Sequence, residues 1–265
     1  MLAGVVAAQT QAPPRDACPL QTLYGLTEAA LLPTDADSPI VAQACRIWPF
    51  DPSRALAAVA YRRPGEVDVE ARSLRLVIAV LDAQDARVLA VHESDLEEDA
   101  AFALHADGLL LDTARYDLAE GVRAFGVVVR SMARGPSCPD ARSNDELTLY
   151  VHEDDAVRPV FTSPLDFWSR IEGEPCNWSL QQRLVTEEAA LRIGVERDAH
   201  NGYADLRVMA DVIRIESDPD AEDADAGHER TVRRRDSRVV RYDGTRYDTA
   251  PLRNGFFWTQ GPLEP

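Results

Sequence analysis

The stretch DAHNGYADLRV holds the grouping closest to a cation-binding loop: Asn201-Gly202, with Asp205 three residues on. Asn201 and Asp205 offer oxygen ligands beside a tight turn, the ligand type that a hard cation such as calcium prefers. Calcium wants six to eight oxygens, however, and this stretch offers too few. The competing reading is a hairpin. Asn-Gly is a favoured dipeptide of two-residue turns, and Asp205 would then hydrogen-bond the turn backbone. Calcium is the one cofactor left open; no other is implied.

Cys18, Cys45, Cys138 and Cys176 include no CxxC pair, so zinc-ribbon and thioredoxin chemistry are not expected. An even number at wide spacing suggests two disulfides made in an oxidising compartment, with four buried free thiols as the alternative. Three connectivities are possible; neighbour pairing, Cys18–Cys45 and Cys138–Cys176, is the one expected. His92, His152 and His228 each precede a Glu, but none continues as HExxH. No nucleophile elbow (G-x-S-x-G) and no dinucleotide loop (G-x-G-x-x-G) occurs. All 28 basic residues are Arg, which removes a Walker lysine, a Schiff base and a Ser-Lys pair. A triad or carboxylate pair assembled in space stays open, since it leaves no local signature.

Aromatic residues could instead make a recognition surface. Trp48, Phe50, Phe167, Trp168, Trp178, Phe256, Phe257 and Trp258 fall in loops or near the C-terminus, and Trp, Tyr and Arg are enriched in binding hot spots. YDGTRY suggests a protruding turn presenting Tyr242, Asp243, Arg246 and Tyr247, with Trp258 close behind. The alternative is that these rings cover strand ends. ESDPDAEDADAGHE, 216–229, is acidic at half its positions and reads as a solvated loop or as an acidic arm.

These groups have to be positioned by strands. Apolar runs flank DAQDA between Ser73 and Ser94, and alternation surrounds Glu153-Asp154-Asp155 between Asn144 and Ser163. Further turns are expected at Asp107-Gly108, Ala119-Glu120-Gly121, Asn201-Gly202 and Asp243-Gly244, the last between the two strands of a final pair. Ala124 to Val129 reads as a strand buried on both faces. Helical periodicity is weak; the one candidate, Thr27 to Leu32, is capped by Thr27 and stopped by Pro33. The expected fold is all-β and antiparallel, propeller-like, with short hairpin repeats and little helix. Residues 1–17 read as a signal remnant, from the apolar run Leu2–Ala8, or as a disordered tail. Residues 18–265 form a single β-rich domain whose segment 18–48 is irregular.

Two regions share a pattern: Tyr116-Asp117-Leu118 and Tyr203 to Leu206, each followed by an apolar strand, a polar loop and a hairpin. Their separation is close to two blades of roughly 40–50 residues. NGYADLRV and the later RYDGTRY resemble degenerate blades of periplasmic FG-GAP/VCBS-type β-propellers. The resemblance implies a propeller and a calcium motif in which Asn201 and Asp205 conform, while Arg197 and Ala199 depart from it.

A net charge of −17 disfavours nucleic acid and anionic membrane surfaces, and no stretch approaches a membrane span. The expected role is that of a non-enzymatic protein of the cell envelope, periplasmic or secreted. Its partner would be another protein, in the most concrete form a basic, lysozyme-like hydrolase that it occludes as an inhibitor or immunity protein. A structural or carbohydrate-binding envelope protein and a hydrolase are the alternatives.

Overall fold

The structure, a computed structural model, describes residues 16–34, 39–63, 72–174, 176, 182–218, 228–252 and 255–259. The expected signal remnant, all but its last two residues, lies outside them, as do Trp178 and the middle of the acidic arm. Among the described residues one α-helix, α1 (Leu20–Glu28), precedes eleven strands. These are β1 (Ile40–Ile47), β2 (Arg54–Arg62), β3 (Arg72–Asp82), β4 (Val88–Glu98), β5 (Leu104–Ala119), β6 (Val122–Ser131), β7 (Ala141–Glu153), β8 (Ala156–Glu172), β9 (Leu184–His200), β10 (Tyr203–Asp218) and β11 (His228–Val240).

The strands make two antiparallel meanders, β1–β4 and β5–β11. A single parallel bridge, Val91 to Ala156, joins β4 to β8. On the other side β5 lies against β1 without a ladder, so the sheet is not closed as a barrel. All eleven strands belong to one connected sheet, and no four-stranded blade stands apart among the described residues.

Alternation decides which strand faces what. On β6, Phe125 and Val127 enter the core between the two meanders, while Ala124 enters a second core. That second core lies between β5–β8 and the curl of β9–β11, with Tyr242, Tyr247, Leu252, Phe257 and Trp258 sealing it. The expectation of a doubly buried strand at Ala124–Val129 holds for its central residues. On β2, Leu56, Ala58 and Ala60 face the inter-meander core, and Ala57 and Val59 face α1. A run buried on both faces needs apolar residues at every position, which ALAAVA, residues 55–60, supplies. Residues Val185, Glu187, Ala189 and Leu191 of β9 alternate with exposed or half-exposed ones, the signature of a strand wet on one side.

Several expectations need correction. Helix α1 ends where the sequence suggested a helix would start, within a segment expected to be irregular. Thr27 caps nothing; its hydroxyl donates to the Leu23 carbonyl one turn back, 2.9 Å away. The helix is set by Leu23 and Leu26 packing on β1–β3, and Gly25 lets it approach closely. A Cβ there would stand 2.1 Å from the Ala86 carbonyl oxygen. Asp107-Gly108 is not a turn but a shift of register inside β5, where Gly108 fits against Leu104 and the Arg130 carbonyl. The final pair reduces to one strand, β11, and a lone bridge between Tyr242 and Tyr247. The two Asp-Leu sites also occupy different places: Asp117-Leu118 precedes a turn on β5, and Asp205-Leu206 follows one on β10.

Both expected disulfides form. Cys18 pairs with Cys45, Cα atoms 4.7 Å apart, and ties the start of α1 to β1. Cys138 pairs with Cys176, at 5.5 Å, and ties the β6–β7 connection to the segment after β8. Among the described residues no helix is long and apolar enough to cross a membrane.

Candidate functional site

Three chain reversals meet at one end of the second core: the β7–β8 turn, the β9–β10 turn and the loop after β11. Asn201 and Gly202 adopt positive φ, 51° and 96°, as a primed hairpin turn requires. Arg158 forks onto Glu153, with Nη2 to Oε1 at 2.7 Å and Nε to Oε2 at 2.9 Å. The same guanidinium donates to the Tyr242 hydroxyl at 3.0 Å and to the Thr245 carbonyl. The Tyr203 hydroxyl donates to Glu153 at 2.8 Å, and its ring lies 4.5 Å from that of Tyr242. The bonds from Arg158 hold Glu153 below the usual carboxylate range, and burial pushes the Tyr203 phenol up to about 12.

The tyrosines expected to protrude are therefore interior. Tyr242 is 4% exposed and Tyr247 is 2% exposed, and the Tyr247 hydroxyl donates to the Ala204 carbonyl at 2.6 Å. Trp258, 2% exposed, packs on Phe167, and its carbonyl accepts from Arg234. The physical reason is the curl of β9–β11, whose open end needs large rings to fill it. Asp243, Thr245 and Arg246 remain at the surface. Asp243 accepts from the backbone of Thr245 and Arg246 at 2.7 and 2.8 Å, which lowers its pKa.

Asn201 and Asp205 are not brought to one point. The Asn201 amide nitrogen donates to the Tyr242 carbonyl at 2.8 Å. Asp205, 2% exposed, meets His200 Nδ1 at 2.7 Å and Arg241 at 3.8 Å. Its partner is thus a ring nitrogen rather than the turn backbone. Among the described residues no cluster of three His, Cys, Asp or Glu has metal-binding geometry. The His200–Asp205 pair resembles the base and orienter of a hydrolase, but no Ser, Thr or Cys bonds to His200 among the described residues.

A further concavity was not anticipated. Beyond the Val91–Ala156 bridge β4 and β8 part, opening a cleft of about 640 Å³. Asp95 and Glu97 of β4, Glu146 of β7 and Asp166 of β8 line it, together with Arg134 and Arg142. Leu96, Phe102 and Val129 give it an apolar floor. Asn144 braces one wall, its amide exchanging hydrogen bonds with the Ser131 backbone at 2.8 and 3.0 Å, as a strand residue would. Asp95 is held by Arg63 and Arg75 at 2.5 and 3.2 Å. Much of Glu146 is open to water, yet the walls around its carboxyl desolvate it and raise its pKa. With Asp95 so engaged, Glu97, Glu146 and Asp166 remain against Arg134 and Arg142, a net acidic lining beside apolar surface that accommodates the stem and head of a cationic side chain. No local pattern marks the cleft, because its walls come from strands far apart in the chain.

Comparison with protein-family models, with curated proteins and with solved structures returns no match.

Proposed function

We propose that this chain is a non-enzymatic binding protein of an oxidising, extracytoplasmic compartment that receives a basic protein partner in the cleft between β4 and β8. The observation that carries this reading is the cleft lining: with Asp95 engaged by Arg63 and Arg75, Glu97, Glu146 and Asp166 remain against Arg134 and Arg142, beside the apolar Phe102 and Val129. Overall charge of −17 adds long-range attraction for a cationic partner. The two disulfides support the compartment. In its most concrete form the partner is a basic, lysozyme-like cell-wall hydrolase, blocked when one of its Arg or Lys side chains enters the cleft.

The alternatives have less support. Carbohydrate binding would call for exposed indole rings, whereas Trp48 and Trp258 are buried and Trp168 is half-buried. Hydrolysis has a His–Asp pair to which no nucleophile is bonded among the described residues. The test is inhibition of a lysozyme-type hydrolase in a cell-wall lysis assay with rising amounts of this protein. Saturating, salt-sensitive inhibition that weakens in Glu97→Gln/Asp166→Asn is expected. Undiminished lysis at large excess would refute the inhibitor form.

A further inference from the structure

The two meanders are joined by one hydrogen-bonded bridge, and the histidines beside it sit on the inner face. His92 follows the bridge residue Val91 on β4 and shares a face with Ala90, a residue of the inter-meander core. Its ring lies 5.5 Å from that of Tyr150 on β7. His152, two residues further along β7, meets Arg54 of β2 through Nδ1 and Nη1. That contact spans the core and links one meander to the other.

Its chemistry fixes a protonation state. A guanidinium is a donor only, so a hydrogen bond from Arg54 requires His152 Nδ1 to accept, with the imidazole neutral and its ring proton on Nε2, a buried atom with no partner among the described residues. A proton on Nδ1 would cancel the hydrogen bond and place two cations face to face. We propose that the seam between the meanders is an acid-sensitive joint, released when His152 takes a proton.

Other groups around the joint bear on the same balance. Asp51, in the β1–β2 turn, binds Arg54 at 2.8 Å and favours charge on His152, as does Asp154 in the β7–β8 turn. Desolvation and Arg54 outweigh both and lower the His152 pKa. Around His92, Glu93 favours the charged form, the Tyr150 phenol stays neutral, and burial again lowers the pKa. Both groups therefore contribute stability that is complete above the unfolded pKa of about 6.5 and is lost as pH falls through the folded values. Asp95 and Glu97 lie just beyond His92 on β4, so release of the seam would also move one wall of the cleft. The joint does not depend on what the cleft binds.

The test is amide hydrogen exchange on the intact oxidised protein at about pH 7.5 and about pH 5.5, corrected for intrinsic exchange. In the wild type, exchange in β4, β8 and the start of β2 should rise severalfold on acidification. His152→Gln can still accept from Arg54 but cannot titrate, so it should keep the neutral pattern and lose the acid increment. No increment in the wild type, or an equal one in His152→Gln, would overturn the proposal. If His152→Gln does not fold, an NMR titration of wild-type His152 decides. A midpoint below about 6.5 with parallel shifts at β4 and β8 amides is expected, and titration without those shifts would overturn it.

Discussion

The side-chain amide of Asn201 donates to the carbonyl oxygen of Tyr242 across 2.8 Å, binding the β9–β10 turn to the loop that follows β11. Asn201 also holds a positive φ of 51°, a conformation that Asn tolerates better than most residues. Asn201→Gly keeps the backbone and loses the bond, at a cost of about 0.5–1.5 kcal/mol. Asn201→Ala loses both and should cost roughly 1–3 kcal/mol. Urea unfolding of the two variants should rank them in that order. Because the amide donor and the Asp205 oxygens are already engaged, added calcium should leave the melting temperature unchanged.

Gly25 sets helix propensity against packing. In an exposed helix Gly→Ala gains about 1 kcal/mol. Here the new methyl would meet the Ala86 carbonyl oxygen at 2.1 Å, a backbone atom that cannot swing away. Overpacking costs about 1–3 kcal/mol or more, so Gly25→Ala should lower the melting temperature despite its better helix propensity. A raised melting temperature would mean that α1 shifts freely over β1–β3.

The Cys18–Cys45 bridge closes a separation of 27 residues. Loop-entropy reasoning gives it about 3–4 kcal/mol. The double variant Cys18→Ala/Cys45→Ala should unfold at lower denaturant by that amount, with proteolysis first appearing around α1. Equal stability of variant and wild type would show that α1 is held by Leu23 and Leu26 alone.

Glu187 is buried on β9 and meets Arg234 at 2.8 Å and Arg214 at 3.4 Å. Arg234 in turn holds the Trp258 carbonyl at 2.9 Å. Glu187→Ala should cost roughly 2–4 kcal/mol, moderated because both guanidiniums keep some water. Trp fluorescence should report early release of 255–259. Glu187→Gln, which can still accept from Arg234, should cost less.

Much of the scaffold was legible because its rules are local. The apolar runs of β3 and β4, the alternation in β7 and β8 and the Asn201-Gly202 and Asp154-Asp155 turns each rest on a few adjacent residues. Cys18, Cys45, Cys138 and Cys176 paired as neighbours. Asp107-Gly108 misled because a Gly that permits a turn equally permits a bulge, and only the neighbouring β6 decides between them. Helix α1 was missed because its stabilisation comes from the sheet beneath it and from a Gly that lowers local propensity. The tyrosines of YDGTRY could not be placed from sequence: their burial depends on the curl of strands from 184 onward. The cleft left still less trace. Asp95, Glu97, Glu146 and Asp166 look like ordinary surface acids until β4 and β8 run side by side and then separate.

The most direct measurement of the central claim is affinity capture from an envelope extract with the oxidised protein. Wild type would be run beside Glu97→Gln/Glu146→Gln/Asp166→Asn, at low and high salt, with mass-spectrometric readout. A basic protein recovered by the wild type at low salt, and lost with the variant or with high salt, is the predicted result. Equal recovery by wild type and variant, or recovery only of acidic proteins, would contradict the assignment of the cleft.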